Sequence, residues 1–201
     1  MSETPTHVHH VPGAHLADPA PLGLAGFALT TFVLSCVNAN IVPQALVGGA
    51  LGLALGYGGL AQFAAGLWEF AKGNTFGATA FCSYGGFWIS FWWLAEHDLA
   101  GLGPDGHKVV GVYLLAWAIF TAYMTIAAMK VNMAVLAVFV LLTITFLLLS
   151  IAWFHNVSSS GLKIGGYFGL ATALVAWYTS MAGVTAFTWG RQVFPVGPRN
   201  N

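Results

Sequence analysis

The 201-residue chain holds 6 Lys plus Arg, 6 Asp plus Glu and a formal net charge of zero, with 58% hydrophobic residues and a mean hydropathy of +0.77. A soluble domain carries roughly a quarter charged residues, so 6% excludes a water-covered exterior and predicts a membrane-embedded chain. Zero net charge gives nucleic acid no footing, and Cys36 and Cys82, in apolar runs without CxxC spacing, read as packing residues and not as a redox or zinc motif.

In chain order, residues 1–17 read as a flexible polar tail. The tail has neither the basic start nor the short apolar core of a signal peptide. Its histidines, His7, His9 and His10, have no cysteine or carboxylate constellation beside them, so no metal is assigned. A helix needs about 20 apolar residues to cross about 30 Å of hydrocarbon. Six runs meet that length, at residues 22–38, 45–69, 76–95, 109–129, 132–154 and 162–188. None shows the ten-residue alternation of a membrane β-barrel. The expectation is an all-α membrane protein, a six-helix bundle over residues 18–195, with residues 196–201 as a C-terminal tail.

The charges fall at or between the run ends. If both termini share a side, that side holds Lys72, Lys130, Arg191 and Arg199 against Lys108 and Lys163, which favours cytoplasmic termini by the excess of basic residues. Gly48, Gly52 and Gly56 in the second run, and Gly161, Gly165, Gly169 and Ala173 in the sixth, recur every fourth residue. Such stripes let helix backbones approach closely in lipid, within a subunit or between subunits.

Intramembrane ionisable groups are functional hypotheses by default, and Glu69 is the one carboxylate beside a membrane run. Lys72 stands three residues on, so an ion pair at a helix end is the first reading and a proton-carrying role the second. His97 and His155 read as solvated or capping residues. No nucleophile and base cluster, HExxH, Walker A or dinucleotide fingerprint occurs, so no catalytic residue, enzyme activity or cofactor is assigned. Instead the runs hold neutral polar groups, among them Thr30, Thr31, Ser35, Asn38, Gln62, Asn74, Thr75, Thr79, Ser83 and Tyr84. Such groups hydrogen-bond either a passing solute or a neighbouring helix, and spacing does not choose between the two.

Three stretches carry a resemblance: DPAPLGL at residues 18–24, GGLAQFAAGLWEFAKGNTFGATAFCSYGGFW at 58–88 and GVYLLAWAIFT at 111–121. In that order they resemble the acetate uptake transporter family, also described as acetate/succinate permeases, from about Asp18 to Pro195. The resemblance implies a six-helix subunit in a homo-hexamer, each subunit with its own pathway for acetate and related small carboxylates, in proton-linked or channel-like mode. It also implies a hydrophobic constriction, carried here by Phe27, Tyr84 and Leu142. Thr30, Thr31, Gln62, Asn74, Thr79 and Trp117 become substrate-binding candidates, neutral groups that hold a small carboxylate weakly enough to release it. In the first stretch Asp18 stands where the family has Asn, ahead of Pro19, Pro21 and Gly23; ionised Asp only accepts hydrogen bonds, where Asn also donates.

The function expected is uptake of acetate, extending to succinate, by a multi-pass protein of the cell membrane. A neutral-solute channel and a membrane scaffold or sensor without flux are the alternatives.

Overall fold

A computed structural model describes residues 16–198, so His7, His9, His10 and Arg199 lie outside the described residues. Among these residues the regular elements are helices: α1 (Ala20–Asn38), α2 (Gly48–Leu55), α3 (Gln62–Lys72), α4 (Thr75–Trp93), α5 (Gly106–Ala128), α6 (Met133–Phe154) and α7 (Ser159–Trp189). A π-helical turn, Gly56–Ala61, joins α2 to α3, and the span Gln44–Lys72 makes one crossing. Five crossings are long and apolar enough for a membrane. The sixth, α4, carries the 19 residues that give about 28 Å of rise but is enriched in Trp, Tyr, Ser and Gly. Two of its amphipathic aromatics turn inward, Tyr84 and Trp88 being buried while Trp93 at its end is exposed, so the helix crosses without the uniformly aliphatic composition of α6.

Local chemistry sets the helix ends. Pro19 and Pro21 bracket the start of α1, where the amide protons they lack would go unpaired. The Ser180 hydroxyl donates to the Pro21 carbonyl at 2.7 Å, so this stiff segment is also pinned to α7. Asp18 lies one residue before the N-cap and still accepts from the Ala20 amide at 3.3 Å. Gly73, at φ +81°, closes α3 in a left-handed conformation that side chains resist. Asn74 then caps α4 by accepting from the Gly77 amide at 3.1 Å.

The helices pack mainly as α1 on α7, α5 on α6, α6 on α7 and α3 on α4. α1, α4 and α6 begin, and α3, α5 and α7 finish, at one end of the bundle, here called the terminal end. Residues 196–197, the start of the C-terminal tail, lie against this end. Met133 and Ala134 donate from α6 to the carbonyls of Gly197 and Val196 at 2.9 and 3.1 Å.

The two glycine stripes meet different fates. On α7 every glycine is occupied by a neighbour: a β-carbon at Gly165 would lie 2.7 Å from Leu149 of α6, and one at Gly166 would strike the Ala39 backbone at the end of α1. On α2, Gly48, Gly52 and Gly56 have nothing within 4 Å of a β-carbon. One stripe packs the subunit, and the other lies bare on its surface.

Candidate transport pathway

Two cavities occupy opposite halves of the bundle. The distal cavity, about 250 Å³, runs from Asn38, Gln44 and Trp153 inward to Phe27 and Leu142. The terminal cavity, about 90 Å³, runs from Ala20, Asn74 and Val131 inward to Phe27, Leu142 and Tyr84. Each has room for several waters or a small solute. Phe27 and Leu142 border both, and the Phe27 and Tyr84 ring centroids stand 5.8 Å apart. Of the three residues assigned to a constriction, Phe27 of α1 and Leu142 of α6 thus stand between the cavities, and Tyr84 of α4 joins them on the terminal side. All are buried, at 4%, 3% and 3% relative exposure for Phe27, Tyr84 and Leu142.

Tyr84 is held from behind. Phe120 meets its ring edge-on at 5.4 Å, and Trp117 and Phe139 lie at 6.1 and 6.0 Å. Its hydroxyl donates to Thr121 Oγ1 at 3.0 Å, and Thr121 donates in turn to the Trp117 carbonyl at 2.7 Å. The phenolic proton is therefore committed. Towards a solute the phenol oxygen keeps only acceptor capacity, which suits a protonated acid better than a carboxylate.

The polar lining is sparse and uncompensated. In the distal cavity the Thr31 hydroxyl and the Trp88 indole N–H are buried without a hydrogen-bond partner among the described residues. In the terminal cavity the same holds for both amide atoms of Gln62 and both carboxyl oxygens of Glu69. Most buried polar groups in proteins are paired, so four unpaired side chains facing two cavities are the candidates for meeting a polar solute. The π turn is what aims two of them. The extra residue it inserts re-phases α3 against α2 and sets Gln62 and Glu69, two helical turns apart, on the inward face. Gly58 of that turn fits directly against Thr30.

The other sequence candidates fall elsewhere. Thr30 is fully buried between α1 and the α2–α3 crossing, its hydroxyl 3.4 Å from the Leu53 carbonyl, and it lines neither cavity. Thr79 and Trp117 line neither, Trp117 serving as backing for Tyr84. Asn74 reaches the terminal cavity while capping α4. The Glu69–Lys72 ion pair does not form. Lys72 pairs with Asp18, Nζ to Oδ1 at 2.7 Å, because the start of α1 lies beside the end of α3, and Glu69 points inward. Trp88 was not singled out by sequence, being one of eight tryptophans.

Comparison with known proteins agrees with this architecture. Residues 2–196 match the GPR1/FUN34/yaaH family. The succinate-acetate/proton symporter SatP of Escherichia coli K12 is 40% identical over 186 residues, covering 90% of this chain and 96% of that one. Ammonia transport outward protein 2 of Saccharomyces cerevisiae is 45% identical over 174 residues, covering 84% of this chain. The chain spans only 61% of that yeast relative's length. A solved structure of the bacterial acetate channel SatP superposes with a TM-score of 0.84 at 39% identity, covering 90% of this chain and 99% of that one.

Proposed function

The chain belongs to the GPR1/FUN34/yaaH family of multi-pass membrane proteins, and from that premise we propose that it conducts acetate and related small carboxylates across the cell membrane, without catalysing a reaction. The observation that carries the reading is the pair of cavities divided by Phe27, Tyr84 and Leu142, with unpaired neutral groups on each side. An ionised carboxylate loses hydration in an apolar ring at a cost of several kcal/mol. The neutral acid loses far less, and the Tyr84 oxygen is free to accept a hydrogen bond from its O–H. Such a passage favours small weak acids. Thr31 and Trp88 on the distal side, and Gln62 and Asn74 on the terminal side, are the assigned stopping points.

The test is uptake of labelled acetate into proteoliposomes with and without an imposed pH gradient. Rates equal to those of protein-free vesicles, through which acetic acid also leaks, overturn the proposal. A neutral-solute channel is the second reading, favoured by the similarity to a relative named for ammonia transport. Competition among acetate, formate and urea for the same flux separates the two.

Both termini are assigned to the cytoplasm, since Lys72, Lys130 and Arg191 gather at the terminal end against Lys108 and Lys163 opposite. The bare stripe at Gly48, Gly52 and Gly56 supports assembly into a homo-oligomer, the homo-hexamer expected from sequence. Gly52→Leu is expected to leave the subunit folded and to break the assembly, read as a fall in mass by light scattering in detergent.

At the terminal mouth, Asp18 neutralises Lys72. Asp18→Asn is expected to free that cation and raise the initial rate of acetate uptake a few-fold at low salt. The gain should vanish at high salt, because surface charges steer ions only within a Debye length of about 10 Å at moderate ionic strength.

A further inference from the structure

Glu69 is the one ionisable side chain among the four unpaired groups that line the cavities. It is fully buried. Its carboxyl group lies over the first turn of α4, where a β-carbon at Gly77 would come within 2.7 Å of its carboxyl carbon. The absence of a side chain at Gly77 is what leaves room for it.

The surroundings contain no permanent counter-charge of its own. Before α1 stands Asp18, and on its own helix Lys72, but these are paired with each other at 2.7 Å, so their fields largely cancel at the carboxyl. α1 itself offers Ala20, Leu24 and Phe27; α4 offers Asn74 and the hydroxyl of Tyr84; α6 and the turn before it close the cavity with aliphatic and aromatic side chains. A buried carboxylate is costly and a neutral carboxyl costs far less, but the Asn74 side-chain amide stands beside this one at the same gap over Gly77. Burial favours the neutral form and the Asn74 N–H the ionised one, so the balance between the two is open to an acid that enters the terminal cavity.

Resting on the proposed carboxylate pathway, we propose that Glu69 is its proton acceptor and donor. A neutral acid arriving through the ring gives its proton to ionised Glu69 and leaves at the terminal mouth as the carboxylate, and Glu69 then releases the proton to water there. The reverse sequence loads a carboxylate entering from the mouth. In either direction one proton crosses with one carboxylate, and no net charge moves. Ionised Glu69 repels a carboxylate that has no proton, so the residue also enforces the coupling.

The test uses the full chain in proteoliposomes, with labelled acetate, a luminal pH dye and an imposed potassium diffusion potential at equal pH. Wild-type flux is expected to ignore the potential and to deliver one proton per acetate. Glu69→Gln, permanently neutral and nearly isosteric, can neither take nor give a proton, so its acetate flux is expected to fall at least about tenfold and to stay indifferent to the potential, because the ring still turns back the bare anion. Glu69→Asp, which retains an acid, is expected to restore the flux. A Glu69→Gln flux equal to that of wild type overturns the inference, and so does a potential-driven, proton-free wild-type flux, which needs no variant to fold. Either result leaves the acetate pathway standing; wild-type flux no greater than that of protein-free vesicles sinks the pathway itself.

Discussion

Phe27→Ala is expected to open the passage to larger acids, raising butyrate uptake relative to acetate by at least about tenfold, or about 1.4 kcal/mol in relative barrier. The ring of Phe27 borders both cavities and faces Tyr84 at 5.8 Å. Its removal leaves Tyr84 and Leu142 with an unfilled third side. In an ordinary core such a truncation costs about 3–5 kcal/mol. Here the loss should fall at or below the low end, because the side chain stands between two existing cavities and not in solid packing. A lower melting temperature together with a changed selectivity is therefore the expected pair of results. The measurement is initial uptake of a series of straight-chain acids by proteoliposomes containing equal amounts of folded protein. An unchanged series of relative rates means that size is filtered elsewhere.

That Phe27, Tyr84 and Leu142, far apart in sequence, border one cavity was legible only through resemblance, since each sits in a merely apolar run. The helices themselves needed no such help. Length and hydropathy placed six crossings, and five of them qualify on composition as well. α4 departs because Tyr84 and Trp88 serve the interior and not the lipid.

What sequence could not resolve was rotation. Thr30 and Thr31 are adjacent, yet a helix turns about 100° per residue, so one packs against Gly58 and the other faces the distal cavity. The π turn adds a further shift to α3 that no heptad or four-residue count anticipates. Ion pairing failed for a related reason. The i,i+3 rule joins Lys72 to Glu69 within a helix, but the tertiary neighbour Asp18 was within reach and exposed to water, where a lysine head group is better solvated. Likewise, two glycine stripes of the same spacing ended in opposite settings, since spacing describes a face and not what covers it.

Gln62→Leu distinguishes a residue kept for transport from one kept for stability. Gln62 is completely buried, and both its amide atoms lack partners among the described residues. A buried, unpaired polar group costs about 1–3 kcal/mol, and an apolar replacement of similar shape removes that cost. Were Gln62 an interhelical fastener, leucine would destabilise the bundle. As a group facing the terminal cavity it should do the opposite, leaving the protein as stable as before or more stable by up to about 2 kcal/mol. Transport should move the other way. The amide N–H is a neutral donor in the cavity that Tyr84 also lines, and the Tyr84 proton is committed to Thr121, so a carboxylate in the terminal cavity loses a contact worth about 1–2 kcal/mol, or roughly tenfold in rate. The two readouts are thermal unfolding in detergent and acetate flux in proteoliposomes, made on the same preparation. A variant that is stabilised and slow marks Gln62 as a place where the fold gives up stability for a solute; one that is destabilised and as fast as wild type assigns it to packing.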